Sequence, residues 1–386
     1  MSRTFLYRAL LVIASVTFTL VMVEVMLRLV DKPRPVISGW KSSDINSNFS
    51  QLEINQLGFR GQQIEYADDD FVIVLVGDSQ VEAVSCGYEW MPERRLQDYL
   101  NSAGRKVRVF TIGASGYGQD QQLLALREYY QKFRANLVIL WETPINDIWN
   151  NQFPTTFDIH AKPTFWLEDG RLMGPTEGLG QRARENHRFK LLGLLRRDVI
   201  RRREHEWAKY LPPAYEPLSE FNGPVKHDWQ QMWNQSPESR FANLGEERTP
   251  LAMYLTPRSR RMLYGLDLTS KLLKEVGSLV SSHGGAFVTF ATTTDSLQGA
   301  RVEESIFEGV HLLNGKHYQT SHDQYRENLR YLNEGLNFYL IPITIEQYKV
   351  GPDNRHLNEH ATDQVIRDLS LKMESLVPKT ATDERR

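Results

Sequence analysis

The run "FVIVLV" at residues 71–76 carries no polar side chain on either of its alternating faces. A strand with one face in water shows polar residues at every second position. An unbroken apolar run therefore belongs in a parallel sheet covered by helices on both sides. The run passes into Gly77-Asp78-Ser79, after which the pattern turns helical. In open α/β sheets, ligands sit outside the carboxyl ends of strands. A serine at such a turn faces the crevice, and its backbone N–H is free to point at an oxyanion. An ordinary helix cap by Asp78 or Ser79 gives the same three residues, so the turn alone fixes no chemistry.

Further strands are expected at 106–113, 136–142, 286–293 and 337–344. Helices are expected near 89–103, 119–133, 259–282, 321–335 and 359–376. This alternation makes one α/β domain with a central parallel sheet over residues 55–378. The rhythm breaks between about 151 and 257, which is expected to be an irregular, partly helical insertion. Within it, Asp169-Gly170 between apolar-alternating flanks signals a hairpin. The segment 188–203 combines seven Lys and Arg with Leu and Ile at helical spacing. It suits either a basic helix on an anionic surface or a helix packed by its apolar stripe. Phe165, Trp166, Trp229 and Trp233 supply either sugar-stacking surface or, for most of them, core.

Residues 9–27 carry a single charge, Glu24, and match the ~20 apolar residues that cross a bilayer. No small-residue cleavage site follows. The expected organisation is an N-terminal flank at 1–8, a single transmembrane helix at 9–30, a linker at 31–54 and a polar tail at 379–386. Arg28, Lys32 and Arg34 after the apolar run slightly outnumber Arg3 and Arg8 before it, which favours a cytoplasmic domain. A formal net charge of −2 gives no electrostatic case for nucleic acid as a partner. Cys86 is the only cysteine, which excludes an intrachain disulfide and a CxxC metal or redox motif.

The serine turn has company. The second strand runs into "GASGYGQD" (113–120), the third into "ETPINDIWNN" (142–151), and "GPDNRHLNEH" (351–360) precedes the last helix. A serine nucleophile needs a general base, and the base needs an orienting acceptor. His356 and Asp353, three apart on a loop, can supply both. His360 is a rival base, and its spacing from His356 also allows a metal pair without a further evident ligand.

In these blocks the chain resembles the SGNH hydrolases, the GDSL-type esterases, in a membrane-anchored bacterial form. Gly77-Asp78-Ser79-Gln80, Ser115-Gly116, Asn146-Asp147 and Asp353-x-x-His356 match the family's four blocks in order. "NQLGFRG" (55–61) resembles the segment preceding the serine block. The resemblance covers 55–150 and 285–376. It departs at Gln80, where many members have a small or aromatic residue, and at "PIND", which lacks a common glycine.

The resemblance implies a flavodoxin-like three-layer sandwich, with Ser79 as nucleophile, His356 as base and Asp353 orienting it. It implies an oxyanion hole from the N–H groups of Ser79 and Gly116 and the Asn146 amide, with no cofactor or metal. The implied activity is hydrolysis of O-acyl esters, acetyl foremost, on an envelope or exported glycan or lipid by an extracytoplasmic domain. Acyl transfer to an exopolysaccharide by the same triad is one alternative, and a non-catalytic glycan-binding or scaffold protein is another.

Overall fold

Five strands form the central sheet, and each arises where the sequence has a short apolar run. They are β1 (Phe71–Gly77), β2 (Val107–Gly113), β3 (Leu137–Glu142), β4 (Ala286–Thr293) and β5 (Phe338–Pro342). All neighbouring pairs are parallel, and the spatial order is β2-β1-β3-β4-β5. That is the flavodoxin-like doubly wound order, whose switch point lies between β1 and β3. The computed structural model describes residues 3–30, 40–45, 49–156, 160–175, 207–229, 244–293, 308–351 and 356–379.

Strand β1 shows why the apolar run is unbroken. Val72, Val74 and Val76 enter one core cluster, and Ile73 and Leu75 enter the other. The first cluster is completed by α4 (Gln119–Phe133), α6 (Arg260–Ser282) and α7 (His322–Leu332). The second is completed by α3 (Pro92–Ser102) and α8 (Glu359–Met373). Helices on both faces make the three-layer sandwich. Two short helices, α2 (Ser79–Glu82) and α5 (Pro144–Gln152), start at the carboxyl ends of β1 and β3.

The N-terminal residues form α1 (Arg3–Val30), a helix of 28 residues. Among the described residues no helix is long and apolar enough to cross a membrane. The expected transmembrane helix at 9–30 is therefore not supported by the structure. Arg3, Arg8, Glu24 and Arg28 all lie within α1, although large apolar side chains from Phe5 to Met26 are exposed along it.

The insertion is irregular where described. The hairpin at Asp169-Gly170 forms between Trp166–Glu168 and Arg171–Met173. Phe165 and Trp229 are buried, and Trp229 stacks on His311 with ring centroids 4.1 Å apart. The basic segment at 188–203 and Trp233 lie outside the described residues. An unexpected hairpin joins Gly309–Leu313 to Lys316–Thr320 through Asn314 and Gly315, both at positive φ. It extends a small second sheet with His227–Asp228.

Candidate active site

The first element of the site is the turn after β1. Asp78 caps α2, its carboxylate accepting the Gln80 N–H at 2.9 Å. Ser79 is the first helical residue and keeps 8% of its surface exposed. The turn is tight because β1 and β2 end in paired glycines, Gly77 opposite Gly113. A Cβ on Gly77 would lie 2.5 Å from Val81 Cγ2, and one on Gly113 would lie 2.9 Å from Val81 Cγ1. The two glycines let Val81 of α2 sink onto the sheet, which sets the height at which Ser79 stands.

The second element is the loop after β2. Gly116 has φ of +77°, a conformation that favours glycine. Its predecessor Ser115 is held by the wholly buried Glu82 of α2. The Ser115 N–H donates to Glu82 Oε2 at 2.9 Å, and its hydroxyl donates to the same oxygen. The serine and glycine blocks are thus joined through a carboxylate that sequence reasoning did not single out.

The third element is the start of α5. Asn146 lies in its first turn, half-buried, its N–H donating to the Thr143 carbonyl at 2.8 Å. The Thr143 hydroxyl donates to Asp78 Oδ1 at 3.1 Å, tying the first block to the third. Burial pushes the Asp78 carboxyl up. The Gln80 N–H, the charge of His356, the Thr143 hydroxyl and the Asn146 amide pull it down. Burial pushes Asp147 well above the ordinary carboxylate range, and the neighbouring Asp78 adds to the rise.

Beneath these residues runs a buried polar network. Asp147 Oδ2 accepts the Thr143 N–H at 2.7 Å and the Gln119 amide at 2.6 Å. The Asn151 amide donates to Gln119 Oε1 at 2.6 Å and to the Thr269 hydroxyl at 2.9 Å. Asp120 forms a wholly buried ion pair with Lys162. The bonds of Asp147 and Asn151 fix α5, and with it Asn146, against α4 and α6.

The fourth element is the histidine segment. His356 is half-buried beside an antiparallel bridge between Lys349 and Leu357, and its carbonyl accepts the Val350 N–H at 3.1 Å. The Leu357 N–H donates to Gln80 Oε1 at 3.4 Å. Cys86 lies beneath the junction, 3.8 Å from the Leu357 carbonyl and 3.6 Å from the Thr362 hydroxyl. His360 is exposed and packs edge-on against Trp90, with centroids 6.0 Å apart.

Asp78, Gln80, Glu82 and Thr143 thus tie together the segments that carry Ser79, Gly116, Asn146 and His356: Asp78 bonds Gln80 and Thr143, Glu82 bonds Ser115, and Gln80 bonds Leu357. Asp353 lies outside the described residues. Among the described residues no group of three or more His, Cys, Asp or Glu is arranged to hold a metal.

The strand order is the flavodoxin-like one that the sequence resemblance implies, and the serine, glycine and asparagine blocks begin at the carboxyl ends of β1, β2 and β3. An acetyl xylan esterase of the rumen bacterium Butyrivibrio proteoclasticus matches with a TM-score of 0.35 and 10% identity, over 81% of this chain and 65% of its own. A family 3 carbohydrate esterase of Clostridium thermocellum matches with a TM-score of 0.33 and 12% identity, over 80% of this chain and 100% of its own. No family model matches the chain, and no curated protein matches it.

Sequence reasoning missed Glu82, Thr143 and Arg60. The guanidinium of Arg60 donates to the carbonyls of Glu82, Ala83 and Cys86, bracing the turn that carries Ser79. Arg60 lies in the "NQLGFRG" segment, so a signal was present without a role.

Proposed function

We propose that the protein is an SGNH-type serine esterase that removes O-acyl groups, acetyl foremost, from a glycan or lipid ester. The observation that carries this reading is the convergence of the serine and histidine blocks, 277 residues apart, at the Gln80–Leu357 hydrogen bond. Ser79 attacks the ester carbonyl while His356 takes its proton. The tetrahedral oxyanion is stabilised by the N–H groups of Ser79 and Gly116 and the Asn146 amide. The protonated His356 gives its proton to the leaving alcohol, forming the acyl-enzyme. His356 then activates water, which releases the acid and restores Ser79. Asp353 is assigned to orienting His356 on the resemblance alone.

Membrane attachment through α1 and an extracytoplasmic catalytic domain belong to the same proposal. The single charge in residues 9–27 and the exposed apolar side chains of α1 support the attachment. Ten residues lead from Val30 to Trp40, which is docked on the domain, and a fully extended chain reaches at most about 36 Å over that length. A domain anchored in this way therefore works close to the membrane surface.

The test is acetate release from O-acetylated polysaccharides by the native protein and by Ser79→Ala. Release that disappears in the variant supports hydrolysis. Native protein that releases no acetate, yet moves a labelled acetyl group onto added glycan, favours the transferase reading. Loss of neither activity in Ser79→Ala would sink the proposed mechanism.

A further inference from the structure

Residues 40–45 fall in the segment read from sequence as a linker, yet they are built into the domain. Trp40 is 7% exposed and Ser42 is fully buried. The Lys41 ammonium sits over the Tyr129 ring, 4.8 Å from its centroid, and the Ser43 N–H donates to the Gly58 carbonyl at 3.1 Å. The most specific contacts fall on the loop after β2. The Trp40 indole N–H donates to the Ser115 carbonyl at 2.8 Å, and the Ser42 hydroxyl donates to the Gly113 carbonyl at 3.1 Å. The Tyr117 hydroxyl donates in turn to the Trp40 carbonyl. The Trp40 and Tyr117 rings meet edge to face, 5.9 Å apart.

The Ser115 carbonyl and the Gly116 N–H belong to one peptide unit. That unit is planar, and its C=O and N–H point in opposite directions. A donor fixed on the carbonyl therefore fixes the direction of the N–H on the other side. Hydrogen bonds in series also polarise one another, so a peptide that accepts at oxygen donates more strongly at nitrogen. Glu82 secures the other two polar groups of Ser115, its N–H and hydroxyl. All three polar groups of the residue before Gly116 are thus bonded, and the carbonyl is the one that shares a plane with the Gly116 N–H.

We propose that Trp40 is a positioning residue of the active site: its indole N–H sets the orientation of the Ser115–Gly116 peptide, and so aims the Gly116 N–H at the oxyanion. This rests on the esterase reading above. Complete loss of an oxyanion donor costs on the order of 10²–10³ in kcat, so a misdirected donor is expected to cost about tenfold. Simple packing by Trp40 would affect folding without selecting the transition state.

The experiment uses the full chain and p-nitrophenyl acetate, with native protein, Ser79→Ala and Trp40→Phe. Phenylalanine keeps an aromatic ring and removes the donor. The expected result is a kcat about tenfold lower for Trp40→Phe, with KM within about twofold of native. The inhibition constant of an aryl trifluoromethyl ketone, which forms a tetrahedral oxyanion on serine, should rise by a similar factor. Replacing Trp40 with benzothienylalanine, which exchanges the N–H for sulfur in a near-isosteric ring, should reproduce both effects if Trp40→Phe disturbs the fold. Native kcat in either folded variant, beside an inactive Ser79→Ala, overturns the role of Trp40 alone. A lower kcat with an unchanged ketone inhibition constant overturns it as well. Native turnover in Ser79→Ala overturns the esterase reading and this inference with it.

Discussion

Gln80 accepts the backbone N–H of Leu357 at 3.4 Å, so the residue after Ser79 is bonded to the residue after His356. The bond joins two blocks that no local structure brings together. Its acceptor is the side chain at which the serine block departs from the family's usual small or aromatic residue. The departure has a structural consequence: Gln80 pins the histidine segment to the turn that carries Ser79.

Gln80→Ala is accordingly expected to lower kcat/KM about tenfold while costing about 1 kcal/mol of stability, the net worth of one hydrogen bond. Gln80→Met, which fills the space without accepting, should behave the same way. Steady-state kinetics with urea unfolding checks it. Native kcat/KM in both variants would show that the histidine segment is held by other contacts.

The glycine pair beneath the site yields a rescue test. Gly77→Ala places a methyl group 2.5 Å from Val81 Cγ2, an overlap that requires α2 to move. Overpacking of this kind costs typically 1–3 kcal/mol. The shift of Ser79 should cost about 100-fold in kcat. Gly77→Ala with Val81→Ala relieves the overlap and should recover part of the rate. A double variant no faster than Gly77→Ala alone would argue against Val81 as the cause.

The buried ion pair under α5 predicts a different asymmetry. Burial pushes the Lys162 ammonium down, and its partner Asp120 opposes that shift. Asp120→Ala leaves a buried cation without its carboxylate, which typically costs 3–5 kcal/mol. Asp120→Leu combined with Lys162→Met should be closer to native than Asp120→Ala. Urea midpoints of the three proteins test this, and equal losses in the single and double variants would refute it.

The pH dependence of stability follows from Glu142 and Glu93, both pushed up to about 7 by burial. Their ordinary value is 4.5, so between pH 4.5 and 7 the folded chain binds more protons than the unfolded chain. Stability contributed by the protonated carboxyls is present below about pH 4.5 and declines as pH rises to about 7. Each carboxyl accounts for up to about 3 kcal/mol of that decline. Glu142→Gln should flatten the curve between pH 5 and 7 and stabilise the protein at pH 8. Unfolding free energies measured from pH 5 to 8 decide it, with an unchanged slope in Glu142→Gln as the contrary result.

The sheet was legible in the sequence because strands buried on both faces leave unbroken apolar runs, and β1 is the clearest of them. The serine, glycine and asparagine blocks were legible because each follows one of the first three strands. What stayed hidden was long-range or polar. Glu82 looks like any helical glutamate until its carboxylate is seen on Ser115. Trp40 lies in a stretch rich in Pro, Ser, Asn and Asp, where composition argues for a linker, while its bonds are to a loop 75 residues away. The hairpin at Asn314-Gly315 carried a strong local turn signal that sequence reasoning passed over. Asp353, whose role is carried over from the resemblance, falls outside the described residues.

The most direct measurement is mass spectrometry of acid-quenched protein mixed with excess p-nitrophenyl acetate, comparing native chain, His356→Ala and Ser79→Ala. The native sample should carry an acetyl group on the peptide containing Ser79. His356→Ala should acquire that group far more slowly, and Ser79→Ala should lack it while releasing no p-nitrophenol above background. Native-like p-nitrophenol release by Ser79→Ala, with no acetyl group on the native Ser79 peptide, would contradict the serine esterase mechanism.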